Sequence, residues 1–109
     1  MFGNKMHKVE KAIEKNKGDV LVGLLTDKDE AVRLAAIDGL GKTRSNEGTN
    51  SLINLLHDPS AEVRKHAASA LAAIGDVHAK AHISHALGVE KDAGAKSAMQ
   101  AALGQLKDY

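Results

Sequence analysis

The chain has 109 residues, with 15 basic and 14 acidic side chains, no Cys and only two aromatics, Phe2 and Tyr109. A chain of this length can bury a core without cross-links. The absence of Cys excludes disulfides and thiolate metal sites, and the near-balance of charge excludes a global field that would draw in nucleic acid. No apolar run approaches the roughly 18 residues of a membrane span, and "MFGNKMHKVEKA" has no signal-peptide core. The expectation is a soluble, cytoplasmic protein with an aliphatic, alanine-rich interior.

Residues 4–16 predict an amphipathic helix, with Phe2, Met6, Val9 and Ile13 on one side. Lys and Glu occupy the other side, where Lys5, Lys8, Lys11, Lys15 and Lys17 stand against Glu10 and Glu14. We read 1–17 as a helix capping the first hairpin, as the terminal units of a solenoid must; a partner-docking or membrane-surface segment is the alternative use of its lysines. Short helices are predicted near 19–26, 48–57 and 77–88, and longer ones near 29–42, 60–74 and 92–107. "DPSAE" separates a short helix from a long one: Asp58 and Pro59 stop the first, and Ser60 caps the second. "GD" at 18–19 and again at 75–76 supplies Gly to end one helix and Asp to cap the next. The loop 43–50 does the same with Ser45 and Asn46.

The shift that carries Leu21 onto Leu52 aligns the chain with itself. Leu21, Leu24, Leu25, Asp27, Val32, Arg33, Ala36 and Leu40 fall on Leu52, Leu55, Leu56, Asp58, Val63, Arg64, Ala67 and Leu71. A weaker third copy follows, in which Ile83, Ala86 and Leu87 keep the same shift. After one extra residue, Ala95, Lys96, Met99 and Leu103 take the places of Val63, Arg64, Ala67 and Leu71. A fixed period of this size marks a repeat architecture. The expected fold is all-α: an α-solenoid of about three helical hairpins over 18–109, with units near 18–46, 47–75 and 76–109, behind the N-terminal helix.

The pattern L-x-x-L-L-x-D-x-x-x-x-V-R-x-x-A-x-x-x-L, carried by the residues just named, resembles HEAT repeats, in particular the short HEAT-like type also found in phycobilisome lyases. It implies the fold and says little of function, because such repeats serve in scaffolds, transport receptors, lyases and one hydroxylase. The resemblance also implies a polar ladder of Asp27, Arg33, Asp58 and Arg64 between neighbouring units. An Arg at the rim of an aliphatic seam needs an acceptor as it loses water. The third unit departs from the pattern, with Lys96 for Arg and Val89 for Asp, so the ladder is expected to end there. The Pro often found early in the first helix is Asp19 or Asn50 here.

The densest ligand-like cluster is "HAKAHISH". At about 100° per residue, His78, His82 and His85 fall on one stripe, opposite Ala79, Ile83, Ala86 and Leu87. They make a weak candidate for a metal- or pH-responsive site, because structural zinc takes four ligands and a lone helix seldom orients three. No metal site is favoured and no cofactor is expected. The resembling hydroxylase holds two irons with His-Glu pairs after Val-Arg; the matching places here read Leu34-Ala35 and Lys65-His66, so that activity is not carried over. Nor do aromatics surround an extruded base, or a nucleophile sit in a recognisable setting. No enzyme is expected.

What remains is surface. The second helices of such a solenoid line its concave face, and their outward positions are Leu34 and Asp38, then Lys65 and Ser69, then Ser97 and Ala101. The reading is a protein–protein interaction module, a small scaffold or adaptor, that binds a peptide or another protein through Leu34, Asp38, Lys65 and Ser69. Nucleic-acid binding through the N-terminal lysines is the other-class alternative and is not favoured. The C-terminal end, with Met99, Leu103 and Leu106, offers a surface on which a second copy could form a homodimer.

Overall fold

The structure, a computed structural model, describes the backbone of residues 2–106 and the side chains of residues 4–106. The side chain of Phe2 in the expected apolar stripe, and Tyr109, lie outside the described residues. Among the described residues there are seven helices: α1 (Phe2–Glu14), α2 (Gly18–Leu24), α3 (Glu30–Leu40), α4 (Asn46–Leu55), α5 (Ala61–Ile74), α6 (Ala79–Val89) and α7 (Ala93–Gln105). They make a two-layer slab of 38 × 29 × 17 Å, its shortest dimension less than two helix diameters of about 10 Å. One layer is the row α1–α3–α5–α7, and the other is α2–α4–α6. The seam between the layers buries Leu21, Val32, Leu40, Leu52, Leu56, Val63, Leu71, Ile83 and Met99. These are largely the repeating positions, since one face of every helix turns to the same seam.

Most junctions follow the expected turn chemistry. Ser60 caps α5, its Oγ accepting from the Val63 amide at 3.4 Å, and Ser45 caps α4 through the Gly48 amide at 3.0 Å. Gly75 closes α5 in the left-handed conformation at φ 79°. At the other "GD" the roles differ. Asn16 takes the left-handed position at φ 54°, while Gly18 is the first residue of α2. Gly18 is there for space: a Cβ on it would lie 2.8 Å from the Cβ of Ser45, the α4 cap.

The amphipathic pattern places α1 over the first hairpin as a lone cap. It packs against both helices of that hairpin, α3 and α2, and does so as the first member of the second-helix row, with Val9 and Ala12 buried and Met6 and Ile13 half-buried. Its landmarks match α5 in order and at one common shift: Lys5 stands where Arg64 does, and Asn16 where Gly75 does.

Close approach within the stack is set by glycines. A Cβ on Gly48 would sit 2.8 Å from Cδ2 of Leu40, which is 1% exposed and has nowhere to move. Gly48→Ala is therefore expected to lower stability by about 1 kcal/mol, overpacking outweighing the better helix propensity of Ala. Gly88, whose added Cβ would meet nothing within 4 Å, should gain about 0.5 kcal/mol on the same change. Urea melts of both variants check the opposed signs.

Candidate functional site

The polar groups at the inter-helix turns share one construction. In units one and two, Asp27 and Asp58 accept from the amide two residues on, those of Asp29 and Ser60, each at 2.9 Å. The Arg that follows folds back on the same turn: Arg33 Nη1 donates to the Asp27 carbonyl and Arg64 Nη1 to the Asp58 carbonyl, both at 2.7 Å. Between units one and two, the expected ladder through Asp27, Arg33, Asp58 and Arg64 is thus replaced by a turn clamp inside each unit. Units one and two are joined at these turns by the Ser60 hydroxyl, which donates to Glu30 at 3.0 Å.

The ladder does not stop before the third unit. Arg64 reaches across to Glu90 in a two-pronged pair, Nε to Oε1 at 2.7 Å and Nη2 to Oε2 at 2.9 Å. The Glu90 side chain is 3% exposed. Its Oε2 also accepts from the amides of Lys91 and Asp92, as Asp27 and Asp58 do in their own turns. Glu90, not Val89, is therefore the repeat-mate of Asp58: the extra residue of the third unit falls before this position, and Val89 stands 63% exposed. An acid one place beyond the regular shift from Asp58 was the signal for it in the sequence. The Arg64 guanidinium, helped by the two amides and opposed by burial, holds the Glu90 carboxyl down at about 2. At the N-terminal end Lys5 bridges Asp27 at 3.2 Å and Asp29 at 3.3 Å. The Asp29 amide, and then Lys5, keep Asp27 below the usual carboxylate range.

On the outward side of the second-helix row, Asp38, Lys65 and Ser69 are exposed. Leu34 is half-buried and packs against the core, so it is not a protruding anchor; in a row, a residue on the flank of one helix meets its neighbour, which a single helical wheel does not show. Asp38 is held by His66 of α5, Nδ1 to Oδ1 at 2.8 Å, and Glu62 lies 3.7 Å from the other ring nitrogen. Between α1 and α3 runs a groove of about 290 Å³, floored by Met6, Val9, Ile13, Ala35 and Gly39 and rimmed by Glu10, Asp38 and Lys42. Gly39 keeps the helices close, since a Cβ there would be 2.9 Å from Cγ1 of Ile13. Of these residues only Asp38 was a sequence candidate for binding.

The histidines are dispersed in their contacts. His78 precedes α6 and pairs with Asp76 at 2.9 Å, while the His85 ring stands edge-on to His57 at 5.9 Å. Among the described residues no three His, Asp or Glu side chains are grouped to hold an ion. The lysines do converge: Lys8 and Lys11 of α1, Lys15 in the turn after it and Lys17 before α2 ring a dent of about 220 Å³ whose floor is Ala12 and Val20.

A family profile described as HEAT repeats matches residues 18–104. The chain belongs to the HEAT-repeat family. The all-α solenoid is the fold of this family, and the sequence resemblance is borne out over all three hairpins. Among solved structures, the HEAT-repeat protein is similar to epoxyqueuosine reductase in its crystal structure with an epoxyqueuosine-modified tRNA-Tyr stem loop. The TM-score is 0.74 and the identity 25%, over 81% of this chain and 28% of that one. The chain thus spans little more than a quarter of the reductase's length. No sequence among the curated proteins matches it. No described helix is long and apolar enough to cross a membrane.

Proposed function

We propose that this HEAT-repeat protein is a non-catalytic adaptor that binds a peptide segment of another protein along its second-helix row. The observation that carries the reading is the α1–α3 groove, with an apolar floor and a rim of two carboxylates and one ammonium group. Such a groove fits a segment with one large apolar side chain between a basic and an acidic residue, the base meeting Glu10 or Asp38 and the acid meeting Lys42. The row is preformed, so little ordering entropy is lost on docking.

Selection of displayed random peptides against the protein, followed by amide chemical-shift mapping, tests this. Peptides of that charge pattern should emerge, shift amides of α1 and α3, and bind at least tenfold more weakly to Glu10→Lys, Lys42→Glu protein. Shifts confined to other helices, or no enriched pattern, would overturn it. Leu34 is unsuitable for such a test, because a charge there disturbs packing.

A second reading, a nucleic-acid accessory factor, is favoured by one separate observation, the convergence of Lys8, Lys11, Lys15 and Lys17. The similarity to a reductase that carries a tRNA stem loop supports the same reading.

A further inference from the structure

The four lysines around Ala12 and Val20 are exposed, and their ammonium groups make no ion pair among the described residues. Lys5, by contrast, is committed to Asp27 and Asp29. At about 100° per residue, Lys8 and Lys11 of α1 and Lys15 in the turn that follows lie within a roughly 60° arc, with Glu10 about 100° or more from each of them and Glu14 about 60° from the edge of the arc. The nearest acid in the chain beyond them is Asp19. Arg44, exposed in the α3–α4 loop, is brought beside this end of α1 by its amide, which donates to the Asn16 side chain at 3.4 Å. A chain with a formal charge of +1 therefore carries one strongly basic shelf.

We infer that this shelf is a docking site for the phosphate backbone of a base-paired nucleic acid, gripping shape and charge without reading sequence. This rests on the second reading above and names its surface and its ligand. Lys8 to Lys15 extends about 10 Å at 1.5 Å per residue, a length over which one strand of a duplex presents roughly three phosphates at 3.4 Å of duplex axis each. Lysine is a point charge on a flexible stem, suited to phosphate oxygens more than to the paired geometry of a base edge. Single strands are instead held by stacking on aromatic side chains, and the two aromatics of this chain are Phe2 and Tyr109, at its ends. The concavity between the lysines receives a ridge, as a duplex backbone presents.

Fluorescence anisotropy with labelled 20-base-pair RNA and DNA duplexes of unrelated sequence, between 50 and 200 mM salt, tests the inference. The expected result is binding to both, with a slope of log K against log salt of about −3 to −4 as about four phosphates are neutralised. Lys8→Gln, Lys11→Gln, Lys15→Gln protein with unchanged helical circular dichroism should bind at least tenfold more weakly and flatten the slope by about 3. No binding of any nucleic acid at 50 mM salt would overturn the second reading and the shelf together. Duplex binding that the triple variant retains would overturn the shelf alone. Equal binding to poly-glutamate, or binding to phosphatidylserine vesicles without the duplexes, would assign the shelf to an acidic peptide or a lipid surface and reject the duplex.

Discussion

Leu71→Ala is expected to destabilise the protein by about 3–4 kcal/mol, within the range of leucine truncations in packed interiors. Leu71 is fully buried in α5, which packs on α3, α4 and α7, so the cavity opens where the stack has neighbours on every side. The repeat supplies internal controls. Leu40 holds the same position in unit one and is 1% exposed, so Leu40→Ala should cost nearly as much. Leu103, its mate in unit three, is only half-buried at the end of the row, and its truncation should cost about 1–1.5 kcal/mol. Urea denaturation of the three variants measures this gradient; three equal losses would mean that end and centre are equally packed.

Arg64→Ala is expected to cost about 2–3 kcal/mol and lower Tm by about 10 °C or more. It leaves the Glu90 carboxylate buried without its cation and the Asp58 carbonyl without its donor. The figure sits at or below the lower end for a buried pair because Arg64 itself is 19% exposed. Its repeat-mate Arg33 has only the Asp27 carbonyl and a 3.8 Å approach to Glu30, so Arg33→Ala should cost about 1 kcal/mol. The pair also sets a pH dependence. Glu90 titrates at about 2 in the folded chain against an ordinary 4.5, so its contribution is complete above about pH 5. It is lost progressively as pH falls from there toward 2, because the unfolded chain takes up the proton first. In Glu90→Gln protein, the Tm deficit relative to wild type should be greatest near neutral pH and close toward pH 2. A deficit constant over that range would show that the carboxylate's charge does not contribute.

The two units with clear patterns were legible in detail. The L-x-x-L-L spacing and the Val-Arg-x-x-Ala run predicted which side chains meet the seam, and Leu21, Val32, Leu52 and Val63 are essentially inaccessible. The candidate sites were less legible. His78, His82 and His85 share a stripe on a wheel, yet two of them are engaged elsewhere, by Asp76 and by the ring of His57. Leu34 looks outward on its own helix and is flanked by its neighbours in the stack. In both cases the wheel shows direction about one axis and nothing of the groups packed around it.

The sequence by itself determined that the chain is helical, that it repeats at a fixed period and which face of each helix is apolar, because these are periodicities measured along a single strand of residues. Only the tertiary structure decided that α1 joins the second-helix row, that Arg64 is completed by Glu90 and that Lys17 closes a ring with lysines of α1. It alone separated Gly48, pressed against Leu40, from Gly88, which faces open space. The physical reason is common to all four. Each depends on the distance between groups on different helices or at their ends, and that distance is set by how closely small side chains let the helices stack, which spacing along the chain does not fix.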